Sequence, residues 1–459
     1  ATRQPRRLVF TTSTGCSYPD GHLITAEALT GDMNGRIKTR IAILLVISML
    51  LSGCVSEPSD ETNADVLGCI DESASNYDIT ATTDDGSCEY ADSDGDGVWD
   101  VNEIMGCMDE AANNYQSAAT DDDGSCFYPP WESEYGKNWV RHDPGGDCEC
   151  SDGSNYSFWT RDADPSRVVL YFQGGGACWE NYSCQFEGGT FKTIVGDWDD
   201  PSTASSVYSN NGGVFNLNNR DNPLADWSFV YVPYCTGDIF LGAAVTEYSG
   251  GAVRHNGHVN AQTAYAYMLE NYPDPAHIFV TGSSAGSLPA PFYGALASDD
   301  YPDASVAVFN DGSGGLVSNN TFDFYEIWGL DSSLADFPLD GLDFNNMTSA
   351  ELVIRAWTHD NDIRFARFDD AYDQTMRFFN ALLENDVTVD YKLVILDSDA
   401  RIEEAGMPYS GYLSPGQAHT ILTSERFYTL EIEGVLFVEW FTSFVEGGQP
   451  ESVYCVQCG

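Results

Sequence analysis

Basic residues are scarce in this chain. Its 459 residues include 20 lysines and arginines against 71 aspartates and glutamates, a formal net charge of −51. Four of the basic residues are lysines, Lys38, Lys137, Lys192 and Lys392, and no Lys or Arg occurs between Arg40 and Lys137. Such a surface repels nucleic acid and anionic lipid, which excludes nucleic-acid binding, and it suits a salty medium that screens self-repulsion. Long hydrophobic runs are also missing. The run Ile41 to Leu51 is too short for an ordinary membrane span. Cysteine, by contrast, is plentiful, with 13, several of them in close or repeated pairs, and points to an oxidising compartment.

The short apolar run has a specific context. Residues 1–32 show no hydrophobic period and no start methionine, and read as a wrong start in the gene model. From Met33, a positive stretch with Arg36, Lys38 and Arg40 precedes the run, and Leu51-Ser52-Gly53-Cys54 follows it. This resembles a lipoprotein signal, cleaved before Cys54 and lipidated on that cysteine, over 33–53. Residues 54–67 then form an acidic tether, and the only membrane contact expected is the lipid anchor.

A frame recurs next. Gly68-Cys69 to Cys88-Glu89-Tyr90 and Gly106-Cys107 to Cys126-Phe127-Tyr128 share the same cysteine spacing, so residues 68–90 and 106–128 read as two small modules. Cys69–Cys88 and Cys107–Cys126 are the natural bridges, each contributing on the order of 3 kcal/mol to a unit with almost no core. The frame resembles a Cys-containing repeat of secreted and surface proteins, and it offers no catalytic candidate. Between the copies, within 91–105, Asp92, Asp94, Asp96, Asp100 and Glu103 carry carboxylates at positions 1, 3, 5, 9 and 12 of a calcium loop. Gly97 stands at the turn, and the Val98 carbonyl occupies position 7. A structural calcium ion in a stalk is the expectation. Residues 129–138 link the stalk to a domain over 139–459.

In that domain the stretch His277 to Gly286 organises the rest. An apolar run ends in Gly282-Ser283-Ser284-Ala285-Gly286, the pattern of a nucleophile elbow. Ser284 would sit at the tip of a strained strand-to-helix turn, with the Ala285 N–H, at the start of the next helix, facing a developing oxyanion. Strands are expected at Arg167–Gln173, Trp227–Tyr234, Ala304–Phe309, Ile363–Phe368 and Tyr391–Leu396, and a helix over Val259–Asn271. Gly174-Gly175-Gly176 follows the first of these strands. Its backbone N–H groups can approach a substrate oxygen without an obstructing side chain, which makes Gly176, then Gly175, the other oxyanion donors. Cys178 and Cys184 would stiffen this loop. Cys148, Cys150, Cys235, Cys455 and Cys458 remain, an odd number whose pairing the sequence leaves open, with Cys150–Cys235 the first candidate bridge.

Three linked motifs, Tyr171 to Trp179, Val230 to Asp238 and Gly282 to Gly286, resemble the pectin acetylesterase/Notum family from roughly Trp139 onward. The resemblance implies an α/β-hydrolase with a central, mostly parallel sheet and a Ser-Asp-His carboxylesterase. Its members remove acetyl groups from pectin or a fatty acyl group from a signalling protein. The chain departs from the family at Ser287-Leu288-Pro289-Ala290-Pro291, where more glycine is usual. Pro289 there could distort the helix start.

The triad order puts the acid and then the base after Ser284, where His359 and His419 are the available histidines. Thr348 and Glu351 form a capping box opening a helix, so His359 falls at its C-terminus and reads as structural. His419, in a loop after the last expected strand, is the base. Among Asp369, Asp370, Asp373, Asp397 and Asp399, Asp373 matches the family's Tyr-Asp motif and is the chosen acid, with Asp370 and Asp397 in reserve. Met376 stands where the family has glutamine. The chemistry expected is acyl transfer needing no cofactor, on O-acylated extracellular polysaccharide. A long-chain acyl-protein esterase or lipase is the second reading, and a non-catalytic adhesin on a hydrolase fold the third. Trp179, Phe292 and Tyr293 could line an acyl pocket or the core, with the core favoured for Phe292.

Overall fold

The computed structural model describes residues 65–459, apart from 94, 96, 111, 127–134, 204–205, 207–211, 319–320, 340, 385–389 and 457–459. The signal stretch, Cys54, Asp94 and Asp96 therefore lie outside the described residues. The chain divides into two compact units, one ending at Val101 and one running from Asn102 to Gly459.

In the first unit, Cys69 and Cys88 are bonded across a parallel pairing of Leu67–Gly68 with Thr83–Asp84. The second unit begins with the same design, Cys107 bonded to Cys126 and Met105–Gly106 paired with Asp121–Asp122. Both copies return the chain in the same way. The Asp78 N–H donates to the Cys69 carbonyl, and the Gln116 N–H to the Cys107 carbonyl, each at 2.9 Å. The repeated frame thus encodes a repeated local structure. Within the first unit the Asp92 carboxylate accepts the N–H groups of Gly95 and Gly97, and Asp100 accepts the N–H and hydroxyl of Ser93.

The rest of the second unit is built on a sheet of nine strands. In chain order they are β1 Val140–His142, β2 Phe158–Arg161, β3 Asp164–Phe172, β4 Trp227–Val232, β5 His277–Ser283, β6 Ser305–Asp311, β7 Arg364–Asp370, β8 Ser410–Ser414 and β9 Val453–Tyr454. The spatial order is β9-β8-β7-β6-β5-β3-β4-β2-β1. Every pairing from β9 to β4 is parallel, and β1 and β2 add an antiparallel edge. This is the α/β-hydrolase class expected. The central strands are apolar on both faces, as a sheet covered by helices on both sides requires. Val168, Leu170, Phe172, Val280 and Val308 point into one core with helices α1 Gly257–Asn271, α2 Ala290–Asp300 and α3 Ser349–His359. Val169, Tyr171, Phe279 and Phe309 point into the other, against Phe437, Phe441 and Phe444.

One expected element is wrong. Tyr391 to Leu396 is not a strand; it opens helix α5, Tyr391–Glu404, and helix α4, Gln374–Glu384, precedes it. Asp390 caps α5 by accepting the Lys392 N–H, and Tyr391, Ile395, Ser398 and Ile402 bury one helical face. These buried positions recur every three to four residues, the spacing of a helix face and not of a strand. The strand that belongs there is β8, further along the chain.

The elbow also differs in detail. Ser284–Gly286 form a single 3-10 turn, and α2 begins only at Ala290. Ala285 thus lies in that turn rather than at the helix start. Pro289 takes the N-cap position with φ −73°, where its missing N–H costs nothing.

Candidate active site

Every candidate group of the hydrolase domain follows the C-terminal end of a parallel strand. That is where open α/β sheets place their ligands. β5 runs into Ser284, β3 into Gly174–Gly176, β7 into Asp373 and β8 into His419. Ser284 has φ +57°, a left-handed conformation that a side chain disfavours and that marks a strained elbow. The turn fits because Gly282 and Gly286 lack side chains. A Cβ on Gly286 would come 2.1 Å from the Phe172 carbonyl oxygen, and one on Gly282 would come 2.3 Å from the Gly286 carbonyl oxygen.

His419 Nδ1 lies 2.6 Å from Asp373 Oδ2, whose side chain is 1 % exposed. The other Asp373 oxygen accepts the N–H groups of Thr375 and Met376 at the start of α4, at 2.8 and 3.0 Å. This fixes the carboxylate from behind. His419 Nε2 is buried without a hydrogen-bond partner among the described residues. The reserve acids are engaged elsewhere. Asp370 accepts from both terminal guanidinium nitrogens of Arg426, Nη1 and Nη2, and from the Ser414 hydroxyl. Asp397 sits mid-helix, exposed, paired with Arg401. His359, at the end of α3, meets Asp299.

The glycine loop is held from below. Gly176 has φ +73°, and a Cβ there would meet the Thr190 carbonyl oxygen at 2.0 Å. Gly176 bridges to Phe191, and the Lys192 N–H donates to the Gly175 carbonyl at 2.8 Å. Lys192 itself reaches Asp199 at 2.5 Å and Gln173 Oε1 at 2.9 Å. Burial lowers the Lys192 ammonium from its ordinary value, and Asp199 works in the opposite direction. Cys178–Cys184 closes the loop's far side, and Cys150–Cys235 ties β4's end to the strand-edge region. Cys148 is buried and reduced, and Cys455 is disulfide-bonded.

Beside Ser284 opens a pocket whose walls include Trp179, Leu288, Phe324, Met347, Met376 and Phe379. Its empty space is about 580 Å³, counting the open mouth, and Gly176 and Ala285 line it with Ser284. Trp179 is therefore a pocket wall, whereas Phe292 and Tyr293 are buried in the core. A shallower groove shares Phe379 with the pocket and is lined by Gly175, Tyr182, Thr190, Gln374, Thr375 and Phe378, among others. In a chain this acidic, its lining carries no charged side chain.

Sequence reasoning missed Asp311, at the end of β6 and fully buried. Its Oδ2 accepts the Ser283 hydroxyl at 2.7 Å and the Leu422 N–H at 3.0 Å, and its Oδ1 accepts the Ile421 N–H at 2.9 Å. Burial pushes its carboxyl up to about 6, although these bonds pull the other way. The signal was present in Asn310-Asp311-Gly312, an acid at a strand's C-terminal end, but nothing in the sequence says what faces it.

Residues 134–324 match the family model described as Pectinacetylesterase, a span that includes the glycine loop and Ser284 and ends before Asp373 and His419. Among curated proteins, the palmitoleoyl-protein carboxylesterase NOTUM of Schmidtea mediterranea is 26% identical over 148 residues, 30% of this chain and 26% of that protein. The mouse and human proteins of the same name are each 26% identical over 99 residues, 21% of this chain and 18% of theirs. The chain thus spans about a quarter or less of the length of these relatives. Residues 134–324, which carry Ser284, are thus similar to the pectin acetylesterase/Notum family.

Proposed function

We propose that this domain is a serine carboxylesterase acting on O-acyl esters. The observation that carries the reading is the Asp373–His419 pair, with Nε2 left unpartnered, on the same sheet edge as a strained Ser284. His419 takes the Ser284 proton through Nε2 as Oγ attacks the ester carbonyl. Asp373 holds the tautomer with the Nδ1 proton and stabilises the imidazolium. The N–H groups of Gly176 and Ala285, with Gly175 beside them, face the tetrahedral oxyanion. His419 then returns the proton to the departing alcohol, and water releases the acid by the same route.

The acyl side has two readings. The sequence favours O-deacetylation of extracellular polysaccharide. The pocket supports a longer chain, because its lining is more extensive than a two-carbon acyl group on Ser284 can cover. That lining includes Trp328, Phe344, Met347, Phe379 and Leu383, apolar side chains that would be left facing water. Relatives named for palmitoleoyl-protein cleavage point the same way. The longer acyl ester is the better supported substrate, with the alcohol leaving by the uncharged groove. For the stalk, the carboxylate spacing from Asp92 to Glu103 supports a structural calcium ion. The Cys54 context supports a lipid anchor that leaves the protein outside the cytoplasm, and no helix among the described residues is long and apolar enough to cross a membrane.

The test is hydrolysis of p-nitrophenyl esters from acetate to palmitate, in high salt with calcium, beside Ser284→Ala. A rate rising beyond acetate and abolished in the variant supports the long-chain reading. A maximum at acetate restores the deacetylase. Folded protein with no Ser284-dependent turnover on any chain puts the adhesin first.

A further inference from the structure

We infer that Asp311 is a positioning residue that holds the base loop in register with the nucleophile. The inference rests on the esterase reading of Ser284 and His419. Asp311 and Ser283 are register partners on the adjacent parallel strands β6 and β5. Ser283 immediately precedes the nucleophile, and its hydroxyl is shared between Asp311 and the buried Tyr171 hydroxyl, 2.8 Å away. On its other side the same carboxylate accepts the consecutive N–H groups of Ile421 and Leu422. These amides follow the base by two and three residues. One buried carboxylate therefore joins the strand that presents Ser284 to the loop that presents His419.

The loop needs such a clamp. Thr420, between His419 and the clamped amides, has φ +70°. A β-branched side chain disfavours this left-handed conformation, so the segment would relax if nothing held it. The approach is also close. A Cβ on Gly312, next to Asp311, would lie 3.1 Å from Thr420 Cγ2 and 3.4 Å from His419 Cε1. Hydrogen bonds from N–H groups to an ionised carboxylate are the strong kind, able to hold a strained turn. Asp311 does not touch the reacting atoms. It acts through the placement of His419.

Asp311→Asn separates this role from a general scaffold role. The amide keeps the shape, but its NH₂ cannot accept, so one oxygen's bonds to the loop or the elbow are lost. It also removes a buried charge, so the fold need not weaken. In the full protein, kcat on a p-nitrophenyl ester is expected to fall about a hundredfold, the scale of a 1 Å misplacement. KM should change little, and the thermal midpoint at pH 8 should stay near that of the wild type. Labelling of Ser284 by a fluorophosphonate should slow in parallel, because it draws on the same base. Ser283→Ala, which removes the elbow-side bond and the Tyr171 contact but keeps the bonds to Ile421 and Leu422, should lower kcat by a smaller factor and carries the test if Asp311→Asn fails to fold. Folded Asp311→Asn with kcat within threefold of wild type overturns the inference. So does a fall in kcat that only follows a fall in the thermal midpoint, or an unchanged kcat in Ser283→Ala when the first variant does not fold. Turnover surviving in Ser284→Ala would instead sink the esterase reading.

Discussion

Replacing Gly176 with alanine perturbs the proposed oxyanion loop at the point where the structure leaves least room. Two costs follow. At φ +73° a Cβ disfavours the backbone by about 1–2 kcal/mol. The new carbon would also sit 2.0 Å from the Thr190 carbonyl oxygen, part of the backbone and unable to swing aside. The loop must therefore move by roughly 1 Å, a displacement that costs on the order of a hundredfold in rate when it misplaces a reacting group. Loss of an oxyanion donor costs about 100- to 1,000-fold in kcat. The expectation is a fall of that size in kcat with KM nearly unchanged, measured by steady-state hydrolysis of a short p-nitrophenyl ester in high salt. Gly406→Ala is the control. Gly406 has a similar φ, +72°, after the end of α5, and a Cβ there meets nothing within 4 Å. It bears the backbone cost without displacing the site, so it should lose stability and keep kcat. A folded Gly176→Ala enzyme with kcat within threefold of wild type would refute the placement of the oxyanion at this loop.

Two stability predictions follow from the same structure. Cys150–Cys235 closes a span of 85 residues and Cys178–Cys184 one of 6, so the loop-entropy argument gives about 4–5 and about 2 kcal/mol. Urea unfolding of the paired alanine variants should rank them in that order, and the reverse order would count against an entropic origin. For Asp311 the folded state binds its proton more tightly than the unfolded chain, with a pKa near 6 against 3.8. Its contribution to stability is therefore greatest below pH 3.8, declines up to about pH 6, and stays low above it. The full change is roughly 3 kcal/mol. The stability of wild type minus that of Asp311→Asn should fall by up to this amount between pH 4 and pH 8, and a difference flat with pH would show that burial does not hold the proton.

The parts of the site legible in the sequence are those carried by local pattern. An apolar run into Gly-x-Ser-x-Gly is a strand ending in an elbow, and the three-glycine stretch after β3 is a close-approach loop, because glycine at these places has a steric reason. The capping box at Thr348 and Glu351 is likewise local, and Thr348 does accept the Glu351 N–H. Tyr391 to Leu396 failed because six residues cannot separate a buried strand from the start of a helix. The cap at Asp390 and the later Ile402 carried the distinction. The pocket was out of reach for another reason. Its walls come from segments as distant as Trp179, Phe324, Met347 and Phe379, each an ordinary apolar residue in its own neighbourhood. Met376, read as a departure from the family, proves to be both a pocket wall and a donor to Asp373 through its N–H.

The distribution of backbone strain says more about the site than any one motif. Among the described residues, the non-glycine positions with positive φ are Ile239, Phe240, Ser284, Thr420 and Glu433. Glu433 belongs to the turn between Glu431–Ile432 and Val435–Leu436, where such a conformation is ordinary. Three of the others lie at the proposed site, and Phe240 is buried in the core beside Ile239. Ile239 lines the pocket next to Ser284, Ser284 is the proposed nucleophile, and Thr420 follows the proposed base. Two of the strained segments are held by a fully buried aspartate. Asp238 accepts the Phe240 N–H, the Thr236 hydroxyl and the Gly257 N–H at the start of α1, as Asp311 accepts Ile421 and Leu422. Burial pushes both carboxyls up to about 6, so each costs stability at neutral pH. A core built for stability alone would have no reason to keep two such charges beside strained backbone. A site that must hold a pocket wall and a base at fixed positions has one, since each carboxylate accepts backbone N–H groups that a hydrocarbon side chain would leave to relax.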